Sequence, residues 1–291
     1  MNKILTISII IPAKNEASSL VSLLPKLTLM FRNTEIIVVD DGSVDNTIAI
    51  CENHNVKVIS HPYSMGNGAA IKTGARNATG DIFVFMDADG QHKPEDIPHL
   101  IEKLLDDHDM AVGARTKKSQ AGAHRAVANG FYNKLASWIV DQPIKDLTSG
   151  FRAIKAKKFR QFLYLLPNGF SYPTTITMSF FRAGYSVCYV PILAPKRIGK
   201  SHIRPLQDGI RFLLIIFKIG TLYSPLKLFL PISATTFLLG LGLYAYTYTT
   251  TGHFTNMSAL LFTTSLLIFL IGLVSEQITS LMFNQSNDSK E

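Results

Sequence analysis

Hydrophobic positions in the first half of the chain come in short, dense runs that end in polar clusters. Residues 4–11 are largely β-branched and close on Pro12-Ala13-Lys14-Asn15-Glu16, which reads as a strand covered on both faces. Beyond Ser18 and Ser19, either able to cap a helix, apolar residues fall at helical spacing at Leu20, Leu23, Leu24 and Leu27. The alternation then repeats. A strand over 35–39 ends on Asp40-Asp41-Gly42-Ser43, a helix opens at Asp45-Asn46-Thr47, and a strand covers 56–60. The Gly-rich turn Met65-Gly66-Asn67-Gly68 leads into a helix over 69–78, followed by strands at 82–86 and 109–113. Strands alternating with helices at this spacing predict βαβ units, right-handed crossovers and a mostly parallel sheet.

The pattern changes after Lys227. No Lys or Arg follows until Lys290, and no Asp or Glu until Glu276. Two apolar stretches begin at 228 and 257, each about long enough to cross the roughly 30 Å hydrocarbon core of a bilayer. The linker between them is short and uncharged apart from His253, which predicts a helical hairpin with Tyr244, Tyr246 and Tyr248 at an interface. Lys196, Arg197, Lys200, Arg204, Arg211, Lys218 and Lys227 gather before the first span, so the positive-inside tendency puts the large domain in the cytoplasm. Residues 1–12 run straight into a β pattern with no signal-peptide cleavage site, which agrees. Between domain and hairpin, Leu206, Ile210, Leu213, Leu214 and Phe217 follow helical spacing. That segment reads either as a helix lying along a membrane or as one packed on the domain. A helix over 131–140, with Trp138, leaves the same two readings open. The expected plan is a domain over 1–204, an amphipathic segment over 205–225, spans at about 226–248 and 257–278 within 226–283, and a polar tail over 284–291. It is that of an integral protein of the cell inner membrane.

Composition narrows the chemistry. The 291 residues carry a formal charge of +8, which favours a phosphate-rich partner or an anionic surface. No basic helix interleaved with base-stacking aromatics argues for nucleic acid. Cys51 and Cys188 lack metal spacing and read as buried thiols. The most telling stretch is GDIFVFMDADGQHKP, residues 80–94. A buried strand there ends in Asp87, Asp89 and Gln91, and ligands of open parallel sheets bind beyond the carboxyl ends of the strands. Oxygen donors of this kind suit Mg²⁺ or Mn²⁺ when substrate phosphates complete the shell; taken alone, the motif is equally an acidic turn. Asn15 and Glu16, Asp40 and Asp41, and Asp87 and Asp89 are all expected at the same sheet edge, where a sugar nucleotide could lie. Asp40 reads either as an acceptor for base or ribose or as a turn residue. The Met65–Gly68 turn is neither GxGxxG nor a Walker A loop, which argues against a kinase or a nicotinamide enzyme.

The segments ISIIIPAKNE, EIIVVDDGSVDNT, GNGAAIKTGARNATGD and VFMDADGQHKPEDI together resemble family-2 glycosyltransferases of the GT-A fold. VGAR (112–115), DLTSGFRAIK (146–155) and RIGKSHI (197–203) narrow the resemblance to polyprenyl-phosphate glycosyltransferases such as dolichyl-phosphate mannose synthases. It covers residues 4–220. The fold it implies is an α/β, Rossmann-like GT-A domain, here followed by a juxtamembrane helix and a two-helix transmembrane hairpin. It implies nucleotide contacts at Pro12, Lys14, Glu16, Val38 and Asp40, and a metal and diphosphate segment at Asp87, Ala88, Asp89 and Gln91. Asp89, Arg115 and Arg125 are implied as catalytic, Arg125 by holding the acceptor phosphate. Ser149, Gly150 and Arg152 fall in an acceptor-side loop, and Arg197 on a loop near the donor. RIGKSHI is one residue shorter than the eukaryotic pattern, with His202 where a lysine is usual; Lys200 is the candidate replacement.

The implied reaction is an inverting, Mg²⁺- or Mn²⁺-dependent transfer of a hexose from GDP-mannose or a UDP-hexose to dolichyl or undecaprenyl phosphate. A lipid phosphate is already an anionic nucleophile, so the demand is to neutralise the leaving diphosphate and clamp phosphates with arginines. Asp146 reads either as a lone-pair acceptor near the lipid phosphate or as a turn residue orienting Arg152. A glycolipid or polysaccharide acceptor remains the alternative, although the QxxRW motif and extra helices of processive synthases are missing. So does a non-catalytic scaffold, against which the intact Asp87, Asp89, Gln91 and Arg115 argue. A homo-oligomer is left open.

Overall fold

The computed structural model describes residues 5–116, 123–169, 171–194 and 205–288. The chain divides into two compact units, Met1–Ser137 with Gln142–Ile215 and Trp138–Asp141 with Ile216–Glu291.

In the first unit, β1 (Ile7–Ala13), β2 (Glu35–Asp40), β3 (Lys57–Ser60), β4 (Ile82–Phe85), β5 (Met110–Arg115), β6 (Arg152–Lys155) and β7 (Val187–Ile192) form one sheet in the order β3-β2-β1-β4-β6-β5-β7. The β3-β2-β1-β4 block is parallel, as the alternation predicts, and β5 pairs parallel with β7. β6 differs: it runs antiparallel between β4 and β5, with Arg152 opposite both Phe85 and Val112. Four residues with charged ends gave no strand signal of their own; β6 exists because two longer strands flank it.

Alternation within the strands feeds two cores. Ile9 and Ile11 of β1 pack on one face with Leu20, Leu24 and Leu27 of α1 (Ala17–Met30) and Leu100 of α4 (Ile97–Leu105). Ile10 packs on the other with Ile71 of α3 (Asn67–Asn77), Phe159 of α6 (Ala156–Arg160) and Tyr172 and Ile176 of α7 (Tyr172–Arg182). The result is a three-layer αβα unit. α2 (Thr47–Asn53) follows β2, and α5 (Ala123–Val140) follows β5.

Beyond α8 (Pro205–Tyr223), the second unit is a hairpin of α9 (Pro225–Thr251) and α10 (Asn256–Asp288). Residues 225–251 and 256–281 are long and apolar enough to cross a membrane, slightly longer than the expected spans and joined by fewer residues. Polar groups along the seam pair with one another, as they must where water is scarce. Ser233 and Ser265 each donate to the other's carbonyl at 2.9 Å, and the Glu276 carboxylate accepts the Leu226 N–H at the start of α9. Lys227 pairs with Asp141.

Candidate active site

The carboxyl ends of β1, β2, β4 and β5 share one edge of the sheet. Because β6 is reversed, its first residue, not its last, reaches that edge, and the 146–151 loop arrives there too. Two groups of polar side chains result.

The first gathers around β1 and β2. Asp40 is 1% exposed and accepts the Ser43 N–H. Its neighbour Asp41 does more than the sequence suggested. It accepts from His61 Nδ1 (2.8 Å), Ser64 Oγ (2.8 Å), Met65 N–H (2.7 Å) and Gly66 N–H (2.9 Å). Burial alone would push the Asp41 carboxyl up, but these donors outweigh it and hold it below the ordinary range. His61 Nε2 in turn meets Thr73 Oγ1 at 2.9 Å, and Lys14 Nζ donates to Ser64 Oγ at 2.7 Å. Asn15, in the left-handed region, accepts the Val44 N–H and tethers the β1 and β2 loops. Glu16 accepts from Ser19 Oγ, and Pro12 pairs in register with Val39. Val38, expected at the nucleotide, is fully buried; alternation two residues before the edge turns its side chain into the core.

The second group lies at β4 and β5. Asp89 accepts the Gln91 N–H at 3.1 Å, and Ala88 is buried beneath the turn. Arg115 closes β5 and engages Asp146 in a two-pronged pair, Nε to Oδ2 at 2.8 Å and Nη2 to Oδ1 at 2.9 Å, with its backbone N–H on Oδ2 as well. Burial opposes the charge of Arg115, yet Asp146, then Asp87 and Asp89, raise its pKa. Burial likewise works to raise Asp146, and Arg115 overrides it. Asp146 therefore orients Arg115, not Arg152.

Arg152 itself, expected on the acceptor side, is completely buried. Its guanidinium donates to the carbonyls of Ser149 and Pro173 and to Thr177 Oγ1. The cause is register: paired with Phe85 and Val112, its side chain shares their face, which α7 covers. Ser149 donates to the Gly113 carbonyl at 2.6 Å and fastens the loop to β5. Arg197, Lys200 and His202 lie outside the described residues. Arg125 belongs to α5, and its side chain is outside them as well.

The start of α3, a natural anion cradle, is already filled. Gly68 N–H donates to the Gly169 carbonyl at 3.1 Å and Ala69 N–H to that of Asn168 at 2.8 Å. Those two N–H groups are therefore committed within the fold. Asp87, Asp89 and Gln91 offer hard oxygen donors that suit Mg²⁺ or Mn²⁺. Among the described residues no cluster of three His, Cys, Asp or Glu forms a metal cage.

His92 escaped the sequence reading. Its Nδ1 accepts the Asp87 N–H at 2.9 Å, its ring stacks on Phe151 at 4.8 Å, and burial pushes its pKa down to about 4. The ring is therefore neutral, with its proton on Nε2.

A mostly parallel sheet with one reversed strand, in which β4 runs into the acidic turn and β5 into an arginine, is a GT-A-like fold. Solved structures are similar in fold. Glucosyl-3-phosphoglycerate synthase from Mycobacterium tuberculosis, with Mn²⁺, UDP-glucose and phosphoglyceric acid bound, matches with a TM-score of 0.60 at 20% identity, over 74% of this chain and 80% of that one. Mannosyl-3-phosphoglycerate synthase from Rubrobacter xylanophilus matches with a TM-score of 0.56 at 16% identity, over 74% and 72%. At such identities the likeness is one of fold.

Sequence goes further. Residues 8–163 match glycosyl transferase family 2, and residues 224–281 match the GtrB C-terminal hairpin. The chain belongs to glycosyl transferase family 2. A dolichol-phosphate mannosyltransferase from Pyrococcus furiosus is 38% identical over 56% of this chain and 50% of its own length; the match thus spans half of that relative. Glycosyltransferase AglJ from Haloferax volcanii is 25% identical over 98% of this chain and 97% of its own. An undecaprenyl-phosphate 4-deoxy-4-formamido-L-arabinose transferase from Aeromonas hydrophila is 33% identical over 44% and 42%.

Proposed function

We propose that this glycosyltransferase moves a hexose from a nucleotide sugar, GDP-mannose or a UDP-hexose, to a polyprenyl phosphate at the cytoplasmic face of a membrane, with inversion at the anomeric carbon. The observation that carries the reading is the pairing of a family-2 domain with an apolar hairpin, in a chain whose relatives are named for dolichol- and undecaprenyl-phosphate transfer. The basic residues that precede α9 favour a cytoplasmic domain. Ile210, Leu213, Leu214 and Phe217 of α8 are all more than two-fifths exposed at helical spacing, and Ser224 alone separates α8 from α9. Such an apolar stripe suits a helix lying in the headgroup region, at the depth of a lipid phosphate.

In this reading the nucleoside lies along β1 and β2. Asp40 takes its polar edge, and the Asp41 network keeps the 63–66 loop and Lys14 in place. Asp87, Asp89 and Gln91 would hold a divalent cation, which supplies Lewis-acid stabilisation of the departing diphosphate. Arg115 is held rigid by Asp146, so its service to a phosphate is directional, not a long-range pull; the two charges largely cancel at a distance. Aligning the lipid phosphate oxygen with the anomeric carbon then supplies much of the rate. Arg125, Arg197 and Lys200 are proposed phosphate ligands on the acceptor and donor sides.

The test is transfer of radiolabel from GDP-mannose, UDP-glucose or UDP-N-acetylglucosamine to dolichyl or undecaprenyl phosphate by detergent-purified protein. Label is expected in the organic phase with one donor, abolished by EDTA and by Asp89→Ala. Transfer to diacylglycerol or to a growing polymer, with none to any polyprenyl phosphate, would overturn the acceptor assignment.

A further inference from the structure

The loop before β6 has a second use. An ideal Cβ built on Gly150 meets only one side chain among its three nearest atoms: Asp87 Oδ2 at 2.8 Å, Oδ1 at 3.1 Å and Cγ at 3.3 Å. Gly150 is not among the glycines of positive φ, so an alanine fits its backbone; what it cannot share is the space of the Asp87 carboxylate. The wall itself is firm. Tyr172, 1% exposed, donates its hydroxyl to the Gly150 carbonyl at 3.0 Å, and the neighbouring Phe151 carbonyl accepts the Gly113 N–H at 2.9 Å. His92 stands nearby too: its Nδ1 accepts the Asp87 N–H, and its Nε2 lies 3.9 Å from Asp87 Oδ2. Its ring rests on Phe151, the residue after Gly150. Asp87 thus adjoins both a bare backbone and an imidazole that share one support.

We propose that Gly150 and His92 are positioning residues for Asp87, setting its carboxylate for a divalent cation and so setting the cation affinity of the site. The inference rests on the metal-dependent transfer proposed above. It gives Gly150 a role toward the metal carboxylate, where the family likeness implied one toward the acceptor.

The test uses the full chain in detergent, with UDP or GDP present, and follows free Mn²⁺ by electron paramagnetic resonance. Gly150→Ala is expected to weaken Mn²⁺ binding roughly 10-fold or more, with a melting temperature within about 2 °C of the parent and metal-free nucleotide binding unchanged. Asp87→Ala weakens Mn²⁺ binding too, and adding Gly150→Ala to it costs nothing further, because the effect passes through Asp87. His92→Phe keeps the stack but loses the acceptor, and follows the same course; His92→Asn, which restores an acceptor, recovers part of the affinity. Should Gly150→Ala fail to fold, the His92→Phe cycle with Asp87→Ala decides alone. Mn²⁺ affinities within about twofold of the parent, or losses that add in full to that of Asp87→Ala, would overturn the inference. A parent protein that binds neither nucleotide nor Mn²⁺ would instead sink the transfer reading from which it starts.

Discussion

Asp41 collects donors from His61, Ser64, Met65 and Gly66, so one carboxylate ties the loop after β3 to the end of β2. Its pKa is held down in the folded chain, so its contribution to stability is complete above the unfolded carboxyl pKa of about 4 and is lost as pH falls through and below that value. Asp41→Asn should cost about 3 kcal/mol near neutrality. In thermal melts, the gap between parent and variant should narrow below about pH 4. Arg115 and Asp146 form the other tight unit. Arg115→Lys keeps the charge but not the fork, and should lower kcat/KM roughly 100-fold; Asp146→Asn should do nearly as much. The double variant should be little worse than either, measured with the labelled donor. The acidic motif at 87–91 was legible because a buried strand ends on it. His92 and His61 were not, since a lone histidine carries no mark of the partner that packs on it. Arg152 misled because an arginine reads as exposed until register shows which face it shares.

Elements were easiest to read where their own pattern was long. The βαβ alternation through β4 and the two apolar helices follow from hydrophobic spacing alone. β6, α6 and α7 were silent: a four-residue strand, a five-residue basic helix and a helix rich in Thr and Phe take their form from neighbours. The 165–169 segment illustrates such dependence, since it closes the start of α3. A Cβ on Gly68 would lie 1.9 Å from the Pro167 carbonyl, whereas one on Gly169 meets nothing within 4 Å. Gly68→Ala should therefore destabilise by about 3 kcal/mol, and Gly169→Ala by no more than about 0.5 kcal/mol, both readable by denaturant titration. The contrast would show that α3 needs the contact itself and not merely a glycine nearby.

At the scale of the whole molecule, α9 and α10 expose apolar side chains along their length, among them Leu238, Leu239, Leu266 and Ile271. Hydrocarbon is the solvent that suits such a surface. The protein should stay with the membrane pellet through an alkaline carbonate wash and leave it only with detergent; release by carbonate would contradict a spanning hairpin. The reversed strand has a consequence in time as well as in space. β4, which leads to Asp87 and Asp89, and β5, which carries Arg115, are not bonded to each other but meet only across β6. A growing chain can assemble β3-β2-β1-β4 from its first hundred or so residues. It then waits for the 152–155 segment to be synthesised before the two halves of the candidate site are joined. The candidate site is thus completed by the last-made of these three strands, although that strand lies between the other two.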